Sequence, residues 1–192
     1  MRNAVCAVVA IFSSSVTLAA DVKQYELDGG VTVSLSDGWS YDRVQSPAMK
    51  MAAVREMVHG ASEIRMRHQN TAILVSYMHF KSEKPEKAMD PAELETVGAV
   101  TTQAASQYLR QSRETAVTPR SQIAGMLGVS LATLTARPGQ SFNVASGVPG
   151  KCVTTGNMRR GAAAWAISIA SEDCQSDTHR EAVEAFFAAR SR

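Results

Sequence analysis

Four side chains with metal-binding chemistry recur in a short stretch of the chain, with each methionine two residues before a histidine. The candidate ligands are Met57, His59, Met66 and His68. Thioether and imidazole groups suit Cu(I), and residues i and i+2 of a strand share a face, so each pair presents two ligands together. Alternatively, the methionines fill gaps in a core. That interpretation is favoured because Val54 and Ile64 continue the same apolar stripes.

Motifs for nucleophilic, zinc or phosphate chemistry are absent from the sequence. There is no Gly-x-Ser-x-Gly turn to carry a nucleophile, no His-x-x-x-His pair for zinc, and no glycine-rich loop with Lys-Ser or Lys-Thr to hold a phosphate. Each histidine, taken singly, is typical of a surface or strand-face position. The sequence therefore predicts a protein that is not an enzyme and that needs no cofactor.

The first twenty residues have the pattern of a secretory signal peptide. Arg2 supplies a positive start, residues 5–12 are apolar, and residues 17–20 are small, as a cleavage site requires. The apolar stretch is too short to span a bilayer, which takes ~20 residues. We predict export to the periplasm or the cell exterior, a single domain over residues 21–192, and no membrane insertion after cleavage.

Cleavage of this leader would leave two cysteines, Cys152 and Cys174, in a compartment where disulfides persist. We predict that they form a structural bridge. If the flanking strands pair about a tight turn at Arg160 and Gly161, the cysteines do not stand directly opposite each other. Either the loop is then longer, or the bridge ties the chain that leads into the last helix to the start of the strand.

The charge balance gives no reason to expect a nucleic acid partner. The chain carries 20 basic and 18 acidic side chains, and loss of Arg2 with the leader lowers the net charge from +2 to +1. Nucleic acids and anionic membranes select proteins with clustered positive charge. The pair Arg159-Arg160 is too small a cluster for that role.

Apolar periodicity predicts strands in the first half of the chain. Residues 24–45 alternate between apolar and polar side chains around glycine-containing turns, as in a hairpin or meander. Residues 47–70 predict a short helix followed by a strand. The run 72–80 is almost uninterrupted by polar side chains, which predicts a central strand covered on both faces.

The second half of the chain begins with a helix signal at Asp90-Pro91-Ala92-Glu93, where Asp90 is the N-cap of a helix that continues to about residue 111. Strands are predicted over 116–118 and 123–137, with Gly125 and Gly128 interrupting the second one. Residues 138–151, rich in Gly and Pro, are predicted to form a flexible loop of the length that often carries function.

A hairpin over 152–170 is predicted to follow that loop, with its turn near Arg159-Arg160-Gly161 and with Trp165, Ile167 and Ile169 on one face. A helix from about Asp177 ends the chain. Together these elements predict an α+β domain with a mainly antiparallel sheet, a central capped helix, a C-terminal helix and one disulfide.

Residues 31–39, VTVSLSDGW, are similar to the opening strand of the Mog1/PsbP-like family, and Ile123-Ala-Gly125 also fits that pattern. The order of elements resembles the α/β/α sandwich of this family, including exported bacterial proteins of the DcrB type. Ser36 stands where the family has proline, and the disulfide hairpin has no counterpart in it. The resemblance implies a protein that binds other proteins and is not an enzyme, although a fold alone does not establish function.

The function that we predict from these observations is exported protein binding. The chain would serve as an accessory factor of an envelope system, or as an immunity-type inhibitor of an envelope-acting toxin or hydrolase, and would be a monomer or homodimer. The alternative is a periplasmic protein that binds a small ligand or copper through the Met/His segment. Candidate interface residues are those that supply aromatic or guanidinium anchors, namely Trp39, Tyr41, Arg159 and Arg160.

Overall fold

The computed structural model describes residues 21–82, 88–144, 147 and 149–191, and the predicted leader lies outside them. Within these residues the chain forms ten strands and three α-helices. All strand pairings are antiparallel, so the predicted α+β class with a mainly antiparallel sheet is confirmed. No helix among the described residues is both long enough and apolar enough to cross a membrane.

The elements have the following bounds. The strands are β1 (Val22–Leu27), β2 (Val31–Ser36), β3 (Ser40–Gln45), β4 (Val58–His68), β5 (Thr71–Phe80), β6 (Arg120–Ala124), β7 (Leu127–Thr135), β8 (Cys152–Arg160), β9 (Ala163–Ser171) and β10 (Arg190–Ser191). The helices are α1 (Ala52–Met57), α2 (Pro91–Ser106) and α3 (Asp177–Phe187), and a 3-10 turn (Pro47–Lys50) precedes α1.

Two sheets organise the molecule. The larger has the strand order β3-β4-β5-β9-β8-β7-β6, and the smaller has the order β1-β2-β10. The small sheet and α3 pack together on one face of the large sheet and bury the main core there. Helix α2 packs on the opposite face, over β6, β7 and β8. The two faces of the large sheet are therefore covered very differently.

The predicted N-terminal hairpin is confirmed, and its turn is fitted to the large sheet. Gly29 in the turn has φ +79°, and a Cβ there would lie 2.7 Å from the Trp165 ring. The Trp165 indole N–H donates to the carbonyl oxygen of Asp28 at 2.8 Å. Glycine thus permits the conformation and the close approach that bring the small sheet against the large one.

Helix α2 begins as predicted, because the Asp90 carboxylate accepts a hydrogen bond from the backbone N–H of Glu93 at 2.9 Å. It ends at Ser106, earlier than the predicted residue 111. Its sheet-facing side carries small residues, and the Thr101 hydroxyl donates to the carbonyl oxygen of Ser130 at 3.1 Å. The helix therefore lies close to β7 and β8.

Two of the predicted strands are wrong. Residues 116–118 form no strand, and the predicted strand 123–137 is divided into β6 and β7. Gly125 has φ +62° and reverses the chain between these two strands, which pair with each other from Ala124 and Leu127 onwards. A glycine that appeared to interrupt one strand is in fact the turn of a hairpin.

The described part of the segment 138–151 forms no helix or strand, as predicted for a loop, but buried side chains attach it to the sheet. Phe142 is fully buried and pairs with Gly150, and its ring meets the Tyr108 ring edge-on at 5.6 Å. Phe142 belongs to a second apolar cluster that contains Val153 and Ala170. The described part of the loop therefore closes one end of the sheet face that carries α2.

The hairpin of β8 and β9 and the predicted disulfide are confirmed. The turn has Gly161 at φ +53°, and Arg160 pairs with Ala163. Cys152 faces Ser171 in the sheet and is bonded to Cys174, with a Cα–Cα distance of 5.2 Å. Of the two arrangements considered, the bridge therefore ties the chain before α3 to the start of β8.

We expect removal of the disulfide by the double substitution Cys152→Ala and Cys174→Ala to lower the free energy of unfolding by about 3 kcal/mol. The bridge closes a loop with a sequence separation of 22, and loss of this constraint gives the unfolded chain more entropy. Urea denaturation of the oxidised wild type and of the variant measures the difference. Reduced wild type is the control and should unfold like the variant. Equal stability of oxidised and reduced wild type would contradict the expectation.

Candidate functional site

An open groove lies on the large sheet beside α2. Its floor consists of two rows of side chains that cross three adjacent strands. One row is Met78 on β5, Ala164 on β9 and Arg159 on β8. The second row is Ser76, Ala166 and Asn157 on the same strands. Neighbouring strands lie about 4.8 Å apart, so each row is about 10 Å wide.

One wall of the groove comes from α2 and its end comes from β5. The wall residues are Thr96, Val97 and Val100, and Phe80 is the last residue of β5. Phe80 is 42% exposed and Val100 is 47% exposed, so large apolar side chains stand on two sides of the groove. The volume of the groove is about 520 Å³. This size and the mainly apolar lining are typical of small-molecule sites.

The groove exists because α2 covers only part of the sheet face. The prediction that the strand at 72–80 is covered on both faces holds for residues 72–75, which are buried. From Ser76 to His79 the strand is only partly buried, and Phe80 is exposed. In this second half of β5, the side chains on the same side of the sheet as α2 form part of the floor of the groove.

Arg159 brings a positive charge to this apolar surface. Its Nε–H donates to the carbonyl oxygen of Gly161 at 3.2 Å, which fixes the base of the guanidinium group. No carboxylate of the described residues forms an ion pair with Arg159. The groove therefore combines an apolar floor and wall with one cation.

Arg160, the neighbouring interface candidate, has a different role. Consecutive strand residues point to opposite faces, so Arg160 lies on the side of the small sheet. One of its terminal nitrogens donates to the carbonyl oxygen of Gly29 at 2.8 Å. The two arginines therefore lie on opposite faces of the large sheet. Arg159 lines the groove, and Arg160 joins the β8–β9 hairpin to the turn between β1 and β2.

The two aromatic interface candidates, Trp39 and Tyr41, differ in exposure. Trp39 is buried in the main core, with its indole N–H 3.4 Å from a carboxylate oxygen of Glu181, so it offers no surface to a partner. Tyr41 is 40% exposed on β3, at the edge of the large sheet. Its hydroxyl donates to the carbonyl oxygen of Glu26 at 2.8 Å. Of the two, only Tyr41 remains an interface candidate.

The four copper candidates do not lie together. Met66 is fully buried in the main core, whereas Met57 ends α1 and is 57% exposed. His59 and His68 are nine residues apart on β4, which is about 30 Å along a strand. The ring of His68 lies 5.5 Å from that of Trp39. A copper site that uses all four side chains is therefore not formed, because Met66 faces the core with Ile64.

No group of three or more His, Cys, Asp or Glu side chains that could hold a metal ion occurs in the part of the chain that the structure describes. The methionines of the sequence pattern instead fill the core, as Met66 does, or lie at the surface, as Met57 does. This distribution agrees with the alternative interpretation of the pattern only for Met66.

A dense polar network lies in the core, away from the groove. His179 on α3 is 1% exposed, and its Nδ1 lies 2.8 Å from the Ser171 hydroxyl. Because that hydroxyl donates to the carbonyl oxygen of Asp173, Nδ1 carries the proton and donates to Ser171. Nε2 then accepts from the Thr154 hydroxyl at 2.8 Å. Histidine and hydroxyl side chains also occur together in catalytic sites, but here His179, Ser171 and Thr154 are all buried.

The environment of His179 lowers its pKa to about 4. Burial is the main cause, because it disfavours the charged imidazolium, and the nearby charge of Asp173 opposes the shift only in part. Nε2 also lies 3.4 Å from the sulfur of Cys152. The neutral ring thus joins α3, β8 and the disulfide at one buried point.

The sequence indicated none of the groove's wall residues. Val97 and Val100 lie within the predicted helix, but helical periodicity does not show which of its side chains stand beside an uncovered part of the sheet. The available signal was the i, i+2 series of Ser76, Met78 and Phe80, whose spacing places three side chains on one strand face. Which part of that face α2 leaves open depends on the strand order.

Comparison of the chain with models of protein families, with curated proteins and with solved structures found no match. The function of the groove is therefore inferred from its geometry and chemistry.

We expect stability to decrease on acidification because of His179. Above its ordinary pKa of 6.5 the ring is neutral in both folded and unfolded chains. Between pH 6.5 and about 4 the unfolded chain takes up a proton that the folded chain excludes. The free energy of unfolding should therefore fall by about 3 kcal/mol over this range. Denaturant titrations at several pH values measure this loss.

The variant His179→Gln should lose much of this pH dependence, whatever its stability at neutral pH. His59→Gln is the matched control, since it removes an imidazole from an exposed position. An acid-dependent loss in His179→Gln equal to that of the wild type would contradict the assignment.

Proposed function

We propose that this chain is an exported, non-enzymatic binding protein and that the groove beside α2 takes an apolar ligand. The observation that carries the proposal is an apolar groove of about 520 Å³ with Phe80 and Val100 exposed at its sides. Exposed large apolar side chains grouped around a concavity indicate a binding surface. Two alanines on the floor, Ala164 and Ala166, leave room for the ligand to reach the sheet.

Export is the part of the proposal that rests on the leader sequence and on the disulfide. A bridge between Cys152 and Cys174 suits the periplasm or the cell exterior, where disulfides form and persist. The non-enzymatic part rests on the lack of catalytic motifs in the sequence.

Binding of the uncharged fluorescent probe N-phenyl-1-naphthylamine tests the groove. The protein, produced from the full sequence and purified as the cell exports it, should bind one probe molecule with saturation. Ala166→Phe should abolish this binding, because Ala166 is exposed in the middle of the floor and a phenyl ring there fills the groove. Ile123→Phe, at a partly exposed position on β6, is the matched control and should bind normally. Equal probe fluorescence in both variants would refute the groove as a binding site.

A second candidate function is binding of another protein of the cell envelope, as an accessory factor or as an immunity-type inhibitor. The observation that favours it is β3, an exposed edge strand of the large sheet with Tyr41 at its surface. Such an edge can pair with an extended segment of a partner. The resemblance to the Mog1/PsbP-like sandwich supports the same function, and we propose this family relationship on the residues 31–39 and on the order of elements.

Site-specific photocrosslinking in the native host tests the second candidate. A benzophenone amino acid placed at Tyr41 should form an adduct with one defined envelope protein. The same amino acid at Ile123 controls for random contact, since it lies on the edge strand at the opposite end of the sheet. The yield of the adduct should also fall when Arg43, two residues after Tyr41 on β3, is replaced by proline. Proline removes a backbone N–H donor that a paired strand would use. Adducts of the same protein from both labelled positions would refute specific binding at β3.

A further inference from the structure

We infer that the ligand of the groove is a fatty acid, a single apolar chain that ends in a carboxylate, and that Arg159 binds the carboxylate. This inference rests on the proposed function, because it names the ligand class of the same groove. It follows from three properties of the site: the charge state of its rim, the shape of its floor and its volume.

Among the described residues that line the groove, Arg159 is the one that carries a charge. The Nε–H of Arg159 donates to the carbonyl oxygen of Gly161. The terminal N–H groups of the guanidinium take no part in this hydrogen bond. The acidic side chain that faces Ser76 from β4 is Glu63, and Glu63 lies 3.3 Å from Arg65. Among the described residues Arg159 forms no ion pair. The guanidinium group is exposed, so an anionic group on a ligand can bind it in place of water.

The guanidinium group sets the geometry of that anion. Its planar fork matches a carboxylate, which it binds with two parallel hydrogen bonds. Arg159 is exposed, so the hydrogen bonds of such a pair, more than its charge alone, would fix the orientation of the carboxylate. A cationic head would be repelled by Arg159, and an uncharged head would gain no ionic attraction from it.

The floor of the groove fits an extended chain. Arg159 ends one floor row, and the two alanines form a shallow track between higher walls. Phe80 bounds the track at the end of β5, and Val97 and Val100 bound it on the side of α2. A chain whose head lies at Arg159 therefore passes over Ala164 or Ala166 and contacts apolar groups on both sides.

The volume favours one chain over two. The groove holds about 520 Å³, which lies in the lower half of the range of small-molecule pockets. Methionine adapts to chains of different lengths, because its side chain is flexible and unbranched. Met78 on the floor thus lets the groove take a range of fatty acids.

Isothermal titration calorimetry with two probes that share one alkyl chain tests the inference. Dodecanoate and dodecyltrimethylammonium, both below their micelle-forming concentrations, differ in the sign of the head charge. The exported protein should bind dodecanoate at one site and at least tenfold more tightly than the cationic probe. Arg159→Gln should remove most of this preference, because it removes the charge-assisted hydrogen bonds. Arg67→Gln, at an exposed arginine on the same sheet face, should retain it.

A spectroscopic measurement separates a direct contact from a structural effect of the substitution. The carboxyl carbon of ¹³C-labelled dodecanoate reports its own titration by NMR. In the complex with the wild type the pKa of the bound acid should be lower than in the complex with Arg159→Gln, because the guanidinium favours the carboxylate form.

The outcomes distinguish this inference from the proposed function. Equal affinity for both probes, or unchanged preference in Arg159→Gln, overturns the fatty acid assignment. If Ala166→Phe nevertheless abolishes binding of the naphthylamine probe, the groove remains a binding site for another apolar ligand. If Ala166→Phe affects no probe, the groove is not a binding site and both proposals are wrong.

Discussion

The width of the large sheet is the constraint on which the rest of the structure depends. Seven strands at about 4.8 Å spacing present faces far wider than one helix, whose diameter is about 10 Å. On one face the small sheet and α3 together meet this demand and enclose the main core. On the other face α2 covers only one side of the sheet. The incomplete cover therefore creates the groove.

Local signals in the sequence predicted the elements that depend only on neighbouring residues. Asp90 caps α2 because its carboxylate reaches the N–H three residues ahead. The turns at Gly29 and Gly161 have positive φ, which favours glycine. Cys152 and Cys174 were predicted to pair because the leader would remove the remaining cysteine. Each of these features is decided within a short segment or by composition.

The candidate site depended on contacts that periodicity does not contain. The i, i+2 rule was applied to Met57 and His59, but Met57 ends a helix, so the two side chains are not strand neighbours. Gly125 was read as an interruption because a strand break and a tight turn look alike in sequence. The groove combines β5, β9, β8 and α2, and the neighbours of β5 are known only once the strand order is known.

The same strand order determines when, during folding, the large sheet can be completed. β5 pairs with β4, its neighbour in sequence, and with β9, which begins about eighty residues after β5 ends. Pairing of such distant segments is slow, because a long loop must close before the contacts form. The centre of the sheet therefore stays open until the C-terminal hairpin has been synthesised. If the chain is exported as we propose, this delay would keep the sheet unformed while the export machinery takes up the polypeptide.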